Sequence, residues 1–260
     1  MRSDPVHFSL PRPGKALVGT MVAMTVIWVV FAIGQNWMGI GDSIVAAIVG
    51  STPAVLHGQI WRLFTAPLFH SPQQPWHLLT TLLGLYFLGP TLEERWGVRR
   101  TLLFLFGSAA FAFAVQVVVG ALVPQVNAPI WYGGLGMETA IAVAWALSSR
   151  GQTVRLFFMI PVSAMALIGI IFVLSLLHVL SMSGTPEGLI TPFGGMLAGW
   201  LFGDHSPLRR FYLKLRLKQI QAETAAARAQ SAARARRASA PFRVIEGGSK
   251  PPPKDKRYLN

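Results

Sequence analysis

The 260-residue sequence has no cysteine, only 10 acidic residues, and 13% charged residues in all. Without cysteine there is no disulfide, thiolate metal site or cysteine nucleophile. Soluble domains carry about 25% charge, so a fraction this low excludes an ordinary solvated globule. What charge there is leaves whole blocks empty. No Asp, Glu, Lys or Arg occurs in residues 16–41, 63–92, 101–137, 156–186 or 188–203. A bilayer span takes roughly 20 apolar residues, and several of these blocks exceed that. The pattern predicts a polytopic membrane protein.

The apolar runs give six candidate spans, over residues 16–34, 76–90, 101–123, 131–147, 156–180 and 190–202. No small-residue cleavage site follows the first run, so it is expected to stay as an anchor. Residues 35–75 are too polar and proline-rich to span, and are expected to form an interfacial loop. Pro161 is expected to bend the fifth span. The sixth is short and carries Gly194, Gly195, Gly199 and Gly203. Small residues let helix backbones approach closely, which suits the interior of a bundle. The expected architecture is an all-α six-helix membrane domain (16–204) after a short N-terminus (1–15). A basic juxtamembrane helix (205–240) and a disordered tail (241–260) complete it.

The net charge of +13 is uneven. Residues 206–260 hold 14 Lys/Arg against 3 Asp/Glu, whereas residues 1–205 hold 9 against 7. Arg2, Arg12 and Lys15, then Arg95, Arg99 and Arg100, then Arg150 and Arg155 would share one side with the tail. The opposite loops hold Asp42 and Arg62, then no charge, then Glu187 alone. Basic loops face the cytoplasm, so both termini are expected there, and the short loops point to a bacterial inner membrane. Ser206-Pro207 reads as a helix start. Leu208, Phe211, Tyr212 and Leu215 share one face of that helix, amid Arg209, Arg210, Lys214, Arg216 and Lys218. Such a helix binds anionic lipid headgroups or simply fixes topology as a basic flank. Nucleic-acid binding would need more than charge, and the tail lacks interleaved aromatics, so none is expected.

Several motifs then fall in order. Trp61-Arg62, Thr65, His70, His77-Leu78, Gly89 and Glu93 precede Gly133-Gly134-Leu135-Gly136, the run Phe157 to Val162, and Gly194-Gly195 with Gly199 and Gly203. Over residues 16–204 the chain resembles the rhomboid intramembrane serine proteases. The resemblance implies a serine nucleophile on the fourth helix and a histidine base on the sixth. It also implies a histidine and an asparagine on the second helix that assist the oxyanion. Here the nucleophile position holds Leu135 or Gly136, depending on which glycine sets the register, and the base position holds Pro192. His77 is kept, but the asparagine position holds Thr81. Hydrolysis needs a nucleophile, a base and oxyanion donors. Neither member of the dyad is present.

Two readings follow. One is a rhomboid-like pseudoprotease that binds transmembrane clients without cleaving them. The other is a protease with relocated residues, for which Ser175 and His178 share a face of the fifth helix. That pair reads equally as a polar interhelical contact. A plain anchor for the basic tail is a third possibility. Glu138 is a carboxylate within a span, which normally faces the bundle interior or a water cavity. It would pair with a retained histidine, contact a client helix, or tie helices together. Arg62 would snorkel to headgroup level or, as the resemblance implies, bond loop carbonyls. Glu93 is expected to tether that same loop. No cofactor is expected, and His70, His77 and Glu138 do not follow a metal spacing such as H-E-x-x-H.

Overall fold

The computed structural model of the chain describes residues 11–39, 46–156 and 160–238. Residues 241–260, expected to be disordered, and most of the short N-terminus lie outside these. Helix α1 (Lys15–Trp37) buries Leu17, Thr20 and Met24, three to four positions apart, and exposes Val22, Val26, Val30 and Ile33. An uncovered row of β-branched apolar side chains is unfavourable in water and at home in lipid. Helix α1 and helix α5 (Pro90–Leu122) are long and apolar enough to cross a bilayer. Helices α6 (Leu135–Ser148) and α7 (Ala164–Leu180) are apolar but shorter.

Between α1 and α5 lie strand β1 (Gly50–Ser51), the short helices α2 (Thr52–Leu56) and α3 (Arg62–Thr65), a 3₁₀ turn (Ala66–Leu68), and helix α4 (Pro75–Leu88). Both α4 and α5 begin with proline, whose missing N–H costs nothing at a first helical position. Helix α5 bends at Gly97, where φ is +73°, a conformation that a side chain would strain. After β2 (Ile130–Trp131) comes α6, buried along almost its whole length. Helix α8 (Thr191–Phe202) packs against both α5 and α6. A Cβ at Gly195 or Gly199 would run into the backbone oxygens of Gly136 and Ala140 respectively. The glycine-rich sixth segment is therefore interior, as its composition predicted, because only hydrogen allows this approach.

Two sequence expectations need correction. The fold is not purely helical: β1 pairs with β2, and β3 (Thr153–Leu156) pairs with β4 (Ile160–Ser163), both antiparallel. The fifth span therefore does not start at Leu156 and bend at Pro161. Proline has no N–H to donate and pushes its predecessor into extended backbone, which favours a strand there. The helix starts only at Ala164, where the Ser163 hydroxyl accepts the Ala166 N–H at 3.1 Å. The loop expected over 35–75 is ordered where described. Its β1 strand pairs Gly50 with Trp131, tying it to the segment before α6.

Helix α9 (Pro207–Ala238) follows, and Ser206 caps it by accepting the Arg209 N–H at 3.0 Å. Residues from Tyr212 onward form a second compact unit, separate from the bundle unit that ends at Phe211. The second unit's described part is a solvent-exposed helix.

Candidate functional site

The site lies where the first ordered loop, the start of α4, the start of α6 and the segment before α8 meet. Arg62 is buried and donates through its guanidinium to the Ala46 carbonyl at 2.6 Å, the Val49 carbonyl at 2.5 Å and Gln59 Oε1 at 2.7 Å. Of its two readings, loop bonding holds. Its neighbour Trp61 is exposed. Glu93 does not tether that loop. Its carboxylate accepts the Ala16 N–H at 2.7 Å and the Leu17 N–H at 3.1 Å, capping α1 instead. The first amides of a helix lack internal partners and attract negative charge.

His70 and His77 stack at 4.9 Å, tilted by 55°. His70 is fully buried, and its Nε2 lies 3.4 Å from the Thr81 hydroxyl. Burial, and then the neighbouring His77, lower its pKa to about 3, so it is neutral near pH 7. His77 Nδ1 accepts the Ser71 N–H at 3.0 Å. That bond leaves the ring proton on Nε2, which donates to Glu187 Oε1 at 2.6 Å. The retained histidine thus pairs with Glu187 and not with Glu138. In the sequence alone Glu187 bears only on topology. Its signal was there, since it is the sole acidic residue from 139 to 203.

Gly133 sits directly under this pair. Its φ is +132°, and a Cβ would lie 2.5 Å from His77 Nε2 and 2.6 Å from Glu187 Oε1. Gly134 backs onto Thr81 in the same way. Gln116, also missed, is buried inside α5. It donates to the Val126 carbonyl at 2.9 Å and accepts the Ile190 N–H at 2.7 Å, holding the entry to α8. A polar residue inside an otherwise apolar run was the available sign.

A cavity of about 530 Å³ opens between α4 and α7. Its floor includes Leu135, Glu138 and Pro192, and its walls include Leu83 and Leu174. Position 136 lies next to α8, since a Cβ on Gly136 would be 3.4 Å from the Thr191 methyl. The half-buried Glu138 turns toward α4, where a Cβ on Gly84 would be 2.6 Å from its Cγ. Among the described residues no ion pair involves Glu138. Ser175 and His178 both line the cavity, but each bonds its own helix. Ser175 donates to the Ile171 carbonyl at 2.7 Å, and His178 Nδ1 to the Leu174 carbonyl at 2.8 Å. This is the ordinary back-bonding of helical polar residues.

A family model, the Rhomboid domain, matches residues 57–205, more than half of the chain. The chain belongs to the rhomboid family. No curated protein matches it. With its long apolar helices, this rhomboid-family chain is an integral membrane protein. The family match begins after α1 and ends just past α8. It encloses Arg62, His70, His77, Thr81, Gly133, Glu138, Glu187 and Pro192.

Leu135 on α6 and Pro192 on α8 both line the cavity, and neither side chain can attack a carbonyl or take a proton. The ring donor of His77 is occupied by the Glu187 carboxylate.

Proposed function

We propose that this chain is a rhomboid pseudoprotease, a six-span protein that binds transmembrane client helices without cleaving them. The observation that carries the reading is the cavity between α4 and α7, which ends on Leu135, Glu138 and Pro192 rather than on a nucleophile and base. Its walls are apolar enough to accept a client helix. Glu138, without an ionic partner among the described residues, supplies a polar contact for it. A carboxylate within a membrane segment marks function by default. The two proteinaceous groups that could act in place of the dyad, Ser175 and His178, bond backbone carbonyls rather than each other. Loss of both dyad members removes several powers of ten in rate. In this reading both termini are cytoplasmic, the membrane is a bacterial inner membrane, and the basic helix after residue 205 meets anionic headgroups.

The test is a proteoliposome assay with helix-destabilised transmembrane substrates, run beside an active rhomboid. A photocrosslinker is placed at Leu83 and, separately, at Leu174. Crosslinks to substrate that weaken with Glu138→Ala, without any cleavage, are the expected result. Cleavage that disappears on Ser175→Ala or His178→Ala would overturn the reading and establish a relocated protease. Absence of crosslinks from both walls would overturn client binding at this cavity.

A further inference from the structure

A second groove lies away from the degenerate site, between α5 and α8. Its volume is about 350 Å³, and Arg100, Leu103, Phe104, Gly107, Ser108 and Phe202 line it. Leu103 and Phe202 are exposed along it, and a Cβ on Gly107 would meet nothing within 4 Å. The groove is thus an open apolar slot running from Arg100 to Gly107, roughly 10 Å along α5 at 1.5 Å per residue.

The charged end is built differently. Asp204 accepts Trp96 Nε1 at 2.9 Å, Arg100 at 2.8 Å and Arg209 at 3.0 Å, and Arg95 lies 3.9 Å away. Arg100 also sits 4.5 Å above the Trp96 ring, which fixes its guanidinium in place. Three guanidinium groups therefore surround one carboxylate, leaving an excess of positive charge at the mouth of an apolar slot. Burial works against ionising Asp204. The hydrogen bonds from Trp96 and Arg100 and the charges of Arg100 and Arg95 outweigh it and lower its pKa. The carboxylate stays ionised and can be shared, but it cannot neutralise three cations.

We propose that this groove binds one anionic phospholipid of the surrounding bilayer, its phosphate on Arg100 and neighbouring arginines and an acyl chain along Leu103, Gly107 and Phe202. A guanidinium fork matches phosphate geometry, and basic pockets between membrane helices take anionic headgroups. The slot supplies what a surface arginine lacks, a cleft for the chain of the same molecule. This site is separate from the client cavity, and does not depend on whether the chain cleaves anything. It shares Arg209 with the start of the basic helix but none of the basic residues further along it.

The test uses the full chain in detergent doped with phosphatidylglycerol or phosphatidylcholine, with retained lipid counted by native mass spectrometry. Wild type is expected to hold one phosphatidylglycerol and to prefer it over phosphatidylcholine. Arg100→Gln is expected to weaken retention by about fivefold, the effect of one basic group near an anionic headgroup. Gly107→Leu fills the slot and is expected to weaken retention at least as much, with an unchanged melting temperature in lipid-free detergent. Neutralising Lys214, Arg216 and Lys218 to Gln is expected to leave retention as it is. Equal retention by Gly107→Leu and wild type would overturn the proposal. So would loss confined to the tail variant, or displacement of the lipid by inorganic phosphate.

Discussion

Replacing Glu187 by alanine removes the acceptor of the 2.6 Å bond from His77 Nε2. The ring cannot turn to another partner without loss, because Nδ1 already accepts the Ser71 N–H. The two side chains are only 8% and 6% exposed, so the stranded N–H is poorly solvated. A hydrogen bond to a charged group contributes about 1.5–3 kcal/mol, and a buried unmet donor costs about 1–3 kcal/mol. Glu187→Ala is therefore expected to destabilise the fold by about 2 kcal/mol. Glu187→Gln keeps an acceptor and is expected to lose about 1 kcal/mol. His77→Ala leaves a carboxylate without its donor beside Gly133, and losing a hydrogen bond to a charged group costs about 1.5–3 kcal/mol. The double variant should lose less than the sum of the singles, with a coupling of about 1.5–3 kcal/mol. Equilibrium unfolding in mild detergent at neutral pH measures all four variants against the wild type. Protease nicking between α7 and α8 reports whether the loop comes free. Single effects that add within about 0.5 kcal/mol would refute the assignment of His77 and Glu187 as a pair.

Further outcomes follow from the packing. Gly195→Ala places a Cβ against Thr139 Oγ1 and the Gly136 carbonyl, and is expected to abolish a stable folded yield, whereas Gly169→Ala, which meets nothing, is expected to leave it unchanged. Glu93→Ala removes the two amide acceptors at the start of α1, and is expected to lower stability by about 1–2 kcal/mol. Glu93→Gln should recover part of that, read by thermal unfolding and by protease access to α1. His70 binds a proton in the unfolded chain below about pH 6.5, but in the folded chain only near pH 3. Stability is therefore expected to fall as pH drops from 6.5 toward 3, by up to about 1.4 kcal/mol per pH unit. His70→Gln, which cannot titrate, should flatten that slope in unfolding measurements across the window.

Much of the chain was legible without coordinates, because a bilayer imposes a one-dimensional rule. Apolar runs free of charge located the helices α1, α4, α5, α6, α7 and α8 to within a few residues at most ends, the starts of α5 and α7 excepted. The glycines at 194, 195 and 199 announced close packing because only they permit it. The proposed loss of the dyad rests on residue types alone, since Leu135, Gly136 and Pro192 carry neither a nucleophile nor a base. The Arg62 contacts agreed with the family resemblance. The hairpin before α7 was hidden because hydropathy cannot separate a short apolar strand from a helix end. The partners of the charged groups were not readable at all. Glu93 meets α1 across 77 positions, His77 meets Glu187 across 110, and Asp204 meets Trp96 across 108. That a charge buried in a low dielectric needs a partner follows from the residue types alone. Which partner it finds depends on helix packing, which sets the side chains that come within about 3 Å of each other.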